Sequence, residues 1–217
     1  MPPTPPNDDL PTPSRTEPTA RKYDLDSADQ NEGPRLVIAL DIDGVLARHL
    51  DDVELRQMPN DYADLPFGAV WVEDHRGQTR LLHTAPAVIV ELDEIVRKPG
   101  VQLVWVSSDA PWTLPRAIEL AFGGRLASGV VVTDRSRASN WKMTQLLRYL
   151  RSAGDPPFVW ADDKAIEFAF RVSRAFRDGN VGPSQRLLIT TSPATGLTLD
   201  EVEAIREFMQ GVIGKRP

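Results

Sequence analysis

A doubly wound α/β fold built on a five-stranded parallel sheet is predicted by three features of this 217-residue chain. Five short apolar runs recur along it, a helical pattern follows each run, and polar residues gather immediately after several of the runs. A run without polar interruption marks a strand buried on both faces, as inside a parallel sheet covered by helices on either side.

Taken in order, Leu36-Val37-Ile38-Ala39-Leu40 is the first run, and others occupy residues 101–106, 130–132, 158–161 and 187–190. Helical periodicity fills residues 87–97, 114–122, 139–152, 165–176 and 199–213. Gly123-Gly124 stops the second helix and Gly154 the third, because glycine accepts the left-handed conformation in which helices end. Thr198-x-x-Glu201 is a capping box for the last helix. Between the first strand and the first helix, Ala69-Val70-Trp71-Val72 and Thr79-Arg80-Leu81-Leu82 flank Asp74-His75-Arg76-Gly77 and read as a β-hairpin. The insertion shows no helical pattern, so a short hairpin flap is expected rather than a full cap domain. No internal repeat is present.

Ahead of the first strand, Pro alternates with Thr, Asp and Glu, and too little apolar surface exists to offset ordering entropy. Residues 1–34 are therefore expected to be a disordered, Pro-rich acidic tail on a domain spanning 35–217. The chain has 25 basic and 31 acidic residues, a net charge of -6. The tail holds seven of the acids and three of the bases, so the body is nearly neutral and presents no whole-domain basic field to nucleic acid. The lack of cysteine excludes disulfides, thiol nucleophiles and thiolate metal sites. With no signal-peptide pattern and no apolar run near the ~20 residues of a membrane helix, a cytoplasmic protein without membrane contact is expected.

Ligands of an open parallel sheet bind beyond the carboxyl ends of its strands. There the first run is followed by Asp41-Ile42-Asp43-Gly44, the second by Ser107-Ser108 and the fourth by Asp162-Asp163. Crowded carboxylates repel one another, and a divalent cation relieves the repulsion. Lys142, near the start of the third helix, brings an ammonium to the same rim. Carboxylates, a hydroxyl, a lysine and Mg²⁺ form a set suited to phosphoryl chemistry. The three histidines, His49, His75 and His83, lack zinc-site spacing, and no glycine pattern for a nucleotide cofactor occurs.

DIDGVL after the first strand, Ser107 after the second, Lys142 before a helix and Asp162-Asp163 after the fourth resemble, in order, the four motifs of the haloacid dehalogenase (HAD) superfamily over residues 35–165. The resemblance implies that Asp41 attacks phosphorus to form an aspartyl-phosphate. It implies that Asp43, the position that separates phosphatases from dehalogenases and P-type ATPases, protonates the leaving oxygen and later activates water. Ser107 and Lys142 would then bind phosphoryl oxygens. Asp41, the main-chain carbonyl of Asp43, and Asp162 would hold Mg²⁺, with Asp163 a ligand through water or an orienting group. Ser192-Pro193-Ala194-Thr195-Gly196-Leu197-Thr198, with Trp141-Lys142 and Trp160-Ala161-Asp162-Asp163, further resembles a mostly actinobacterial group of small HAD domains related to those in multi-enzyme RNA-repair proteins. That group often has two Thr and a Trp where this chain has Ser107-Ser108-Asp109.

Plainer readings compete with each assignment. Asp41 to Gly44 can be a turn with an Asx cap, Ser107 a loop cap with Ser108 taking its role, and Asp163 a favourable carboxylate at a helix start. Lys142 can be a solvated lysine, with Arg137 or Lys164 in its place. Trp105 and Trp160 read as core. Trp112 and Trp141, beside the motifs, suit either packing or stacking on a base. The function expected is a Mg²⁺-dependent phosphomonoester hydrolase acting through an aspartyl-phosphate intermediate, with a nucleic-acid end as its phosphorylated partner rather than a small molecule. The alternatives are a small-metabolite phosphatase and a metal-binding regulatory module with weak turnover.

Overall fold

The computed structural model describes residues 33–48, 68–73, 77–108, 110–134, 140–167 and 185–214. The expected tail lies outside them up to residue 32, as do residues 49–67 of the insertion, the hairpin turn at 74–76, His49, Asp109, Arg137 and most of the helix expected at 165–176.

Strand β1 (Leu36–Leu40) is central. Two residue ranges, β4 (Val101–Val106) and β6 (Phe158–Asp162), pair with it in parallel, and β5 (Val130–Val132) and β7 (Arg186–Thr190) complete the order β5-β4-β1-β6-β7. Every β1 residue is fully buried, as its uninterrupted apolar run requires. Register sets Leu40 beside Trp105 on one side and Ala161 on the other, so the three strands end nearly level.

The sheet is covered on both faces. Leu36, Ile38, Leu40, Leu103 and Trp105 share one core with helices α1 (Pro86–Val96) and α4 (Leu199–Ile213), which supply Val88, Leu92, Ile95, Val202 and Ile205. The alternate residues, Val37, Ala39, Val104, Phe158 and Trp160, form a second core with Leu146 and Leu150 of α3 (Trp141–Ser152). Trp105 and Trp160 are both core residues, on opposite faces. The capping box of α4 is formed on both sides: Thr198 Oγ1 accepts from the Glu201 amide, and the Thr198 amide donates to Glu201 Oε2 at 2.8 Å. No described helix is long and apolar enough to cross a membrane.

The helix expected over 114–122 departs from its prediction. Helix α2 (Ala110–Arg116) gives way to a π-helical turn at Ala117–Ala121, closed by a hydrogen bond from the Phe122 amide to the Ala117 carbonyl. Pro115 has no amide to donate within this stretch, which breaks the regular ladder. The expected hairpin is present, with β2 (Gly68–Glu73) antiparallel to β3 (Thr79–Thr84) in a sheet of its own. Val72, Leu82 and Thr84 are buried, while Trp71 is 63% exposed on the opposite face.

Candidate active site at the carboxyl rim

Asp41 follows β1 on the side alternation that carries Val37 and Ala39 towards α3, and Asp162 closes β6 on the alternation of Phe158 and Trp160. Both carboxylates therefore face the first turn of α3, where Lys142 is the second residue. The Lys142 Nζ donates to Asp41 Oδ2 and, at 2.9 Å, to Asp162 Oδ2. The remaining oxygens are held by backbone amides: Asp41 Oδ1 accepts from Ile42 at 2.7 Å, and Asp162 Oδ1 from Lys164 at 2.9 Å. Four hydrogen bonds from three donor groups thus fix two carboxylates on adjacent strands. Asp41 is 4% exposed and Asp162 fully buried.

Burial pushes the Asp41 carboxyl up to about 6; the Lys142 ammonium opposes this, and the charge on Asp162 adds to it. At Lys142 burial works against the charged form, but the two carboxylates override it and raise its pKa, so the lysine stays cationic. Asp163 is also raised, by burial first and then by Asp162, against Lys142 and Lys164. Oxygens of Asp41, Asp162 and Asp163 lie within 4.8 Å of one another. Three carboxylates against one ammonium leave excess negative charge on hard oxygen donors, a donor set that fits a divalent cation of the Mg²⁺ type.

Asp163 reaches this group because Gly44 leaves room for it. Gly44 adopts a φ of +74°, and a side chain there would place its Cβ 2.9 Å from Asp163 Cβ. The turn it makes is closed by the Gly44 amide donating to the Ala47 carbonyl at 2.7 Å. It separates Asp43 from Asp41: the Asp43 side chain is about one quarter exposed, outside the carboxylate cluster, and pairs with Arg80 of β3 at 3.0 Å. Of the four residues expected to surround a metal, three side chains come together. The resemblance asked only for the carbonyl of Asp43.

Ser107 directly follows β4 and is 2% exposed, whereas Ser108 is exposed. Lys164 contributes its amide to Asp162 rather than replacing Lys142. Trp141 is half-buried and packs against the α3-side core.

Two contributors escaped the sequence reading. Arg80 lay within the recognised hairpin, and its signal was an arginine on the inward alternation of Leu82. Thr191 follows the β7 run as the other site residues follow theirs; its hydroxyl donates to the Gly44 carbonyl at 2.6 Å. The segment after it braces the same turn, with the Leu197 amide donating to the Val45 carbonyl at 2.7 Å and Arg48 Nε to the Thr195 carbonyl at 3.2 Å. That segment carried the narrower family resemblance.

A family model described as the HAD domain in Swiss Army Knife RNA repair proteins matches residues 37–202. No curated protein matches the chain. Among solved structures, the HAD domain of the effector protein Lem4 from Legionella pneumophila is similar over 84% of this chain and 99% of that chain, at 12% identity and a TM-score of 0.48. An inactive mutant of that domain is similar over 82% and 95%, at 11% identity and a TM-score of 0.48.

Proposed function

We propose, for a chain that belongs to the family of HAD domains in Swiss Army Knife RNA repair proteins, a Mg²⁺-dependent phosphomonoester hydrolase acting through an aspartyl-phosphate on Asp41. The observation that carries this reading is the half-buried Lys142 ammonium shared by Asp41 and Asp162, with the Asp163 carboxylate beside them. A fold has no need of three clustered carboxylates at the ends of its central strands, where burial first, and then the charge of Asp162, raises two of their pKa values.

In this reaction Asp41 is the nucleophile. Its raised pKa of about 6 leaves it mostly ionised at neutral pH, and Ile42 and Lys142 hold its two oxygens in place. Attack on phosphorus breaks the bond to the leaving oxygen, which takes a proton from Asp43. Asp43 then accepts a proton from water as that water attacks the aspartyl-phosphate, releasing phosphate and restoring Asp41. Lys142 offsets charge on the phosphoryl oxygens, and the Ser107 hydroxyl binds one of them. Asp41, Asp162, the carbonyl of Asp43 and, directly or through water, Asp163 would hold Mg²⁺, which when bound neutralises phosphoryl charge.

The substrate class proposed is a polynucleotide with a phosphorylated end. The family's association with RNA repair supports it, as does the partial exposure of Asp43 and Arg80 at the site's lip. Phosphate release should be measured with Mg²⁺ across end-phosphorylated RNA and DNA, nucleotides, sugar phosphates and aryl phosphates. Asp41→Asn should abolish release and the acid-stable trapping of labelled phosphate on the protein. Turnover retained in Asp41→Asn refutes the covalent mechanism. A metabolite phosphate processed with kcat/KM at least equal to that of every oligonucleotide replaces the polymer substrate with a small molecule.

A further inference from the structure

The hairpin contributes a side chain to the lip of the site. Arg80 lies opposite Val72 in the β2–β3 register, and Val72 and Leu82 on this face are buried. The guanidinium therefore rises from an apolar base towards the lip of the site. There Arg80 Nη1 stands 3.0 Å from Asp43 Oδ1 and 3.1 Å from Oδ2, bridging both oxygens of the carboxylate. The backbone beneath Asp43 is already pinned by the Gly44 turn and by Thr191. At one-quarter exposure the Asp43 side chain is not confined by burial, so its polar contacts set its rotation, Arg80 among them. Contact with both oxygens restrains that rotation, and a charge-assisted pair does so more firmly than a neutral one.

We propose that Arg80 is a positioning residue: it holds the Asp43 carboxyl group in line for proton transfer to the leaving oxygen and couples the hairpin to that step. The inference rests on the phosphatase reading above, in which the bond from phosphorus to the leaving oxygen breaks as that oxygen takes the proton of Asp43. Proton delivery matters most when the leaving group is a poor one. An alkoxide of a sugar or nucleotide needs the proton, whereas a nitrophenolate departs nearly as well without it. Arg80 should consequently be felt in proportion to the basicity of the leaving group, a dependence that a merely structural role cannot produce.

The test compares the full-length wild type with Arg80→Ala and Arg80→Lys on three substrates: p-nitrophenyl phosphate, phenyl phosphate and an end-phosphorylated oligonucleotide. Arg80→Ala should lose kcat by roughly 10- to 100-fold on the oligonucleotide and by less than about threefold on p-nitrophenyl phosphate, part of the loss expected for a misplaced general acid. Phenyl phosphate should fall between them, and Arg80→Lys should recover part of the loss. Equal losses on all three substrates, or a rise in KM with kcat unchanged, overturn the proposal. A second measurement needs no turnover: Asp43→Ala should speed hydrogen exchange of the β3 amides by roughly three- to tenfold, with the β1 amides unchanged, because the hairpin loses one of its ties and keeps the Arg48 amide bond to the His83 carbonyl. Unchanged β3 exchange overturns the coupling. If the wild type hydrolyses none of the substrates, the phosphatase reading fails, and the exchange result still decides whether Arg80 and Asp43 tie the hairpin to the site.

Discussion

Replacing Lys142 with methionine keeps most of the side chain's length and removes its charge, leaving Asp41 and Asp162 facing each other without a counter-ion. Both carboxylates are buried, and the lysine side chain is itself only 17% exposed, so water does little to screen the repulsion. Breaking such a pair by removing one partner costs about 3 kcal/mol or more. The wild-type carboxyl sets the same scale, since a rise of Asp41 from 3.8 to about 6 is a cost of about 3 kcal/mol to its ionised form even with the lysine present. The sign follows from proton uptake. A carboxyl whose folded pKa is raised holds its proton in the native state while the unfolded chain has lost it, so native stability falls as pH rises through the interval from 3.8 to about 6. Loss of Lys142 pushes Asp41 higher still and carries that fall towards neutrality. The metal-free Lys142→Met protein should therefore melt roughly 6–12 °C below wild type at pH 8, taking about 2–4 °C per kcal/mol for a chain of this size. The gap should narrow by half or more at pH 5, where Asp41 protonates. Thermal unfolding in EDTA at the two pH values reads both numbers. A gap under 2 °C, or one equal at pH 5 and pH 8, would refute the claim that a buried charge cluster is balanced by this lysine.

Gly44→Ala should cost about 1–2 kcal/mol from the left-handed backbone alone. It should also weaken Mg²⁺ binding measured by calorimetry, because the new Cβ meets Asp163 at 2.9 Å; wild-type affinity in this variant would show that Asp163 is not needed near the cation. Thr191→Val should cost about 1 kcal/mol through the lost hydrogen bond to the Gly44 carbonyl. It should lower kcat more than it raises KM, since it loosens the turn beneath Asp43; an unchanged kcat would mean that the turn holds without it.

The legible parts of the molecule are those in which local pattern and burial agree. Leu36 to Leu40 reads as a central strand because no polar group interrupts it, and the structure buries all five residues. Thr198 and Glu201 satisfy each other within one turn, so no distant contact decides the outcome. The α2 segment fails the same test: its apolar spacing suits a helix, but Pro115 removes a donor and the chain continues through a π-helical turn. At the site, Asp41, Asp162 and Asp163 were visible because strand ends converge in any parallel sheet, and Lys142 because its helix starts at the same rim. Arg80 was not, since its target depends on how a separate hairpin is set against that rim. Its alternation with Leu82 showed that it faced inward, but nothing local showed towards which residue.

The two aspartates of the first motif are two residues apart, and the fold gives them different surroundings. Asp41 ends a buried strand, where desolvation works against its charge and a lysine from the covering helix restores the balance. Gly44 then turns the chain so sharply that Asp43 emerges at the lip, where its partner is an arginine from the hairpin. A strand continuing past Asp41 would have returned Asp43 to the same face and added its charge to the cluster. The proposed chemistry needs them apart: one carboxylate stays ionised against phosphorus, and the other exchanges a proton with the leaving oxygen and then with water. On this argument Gly44 and Thr191, which touch neither phosphorus nor metal in the proposed reaction, are required by the division of labour itself, because they maintain the turn that converts a repeated residue type into two roles.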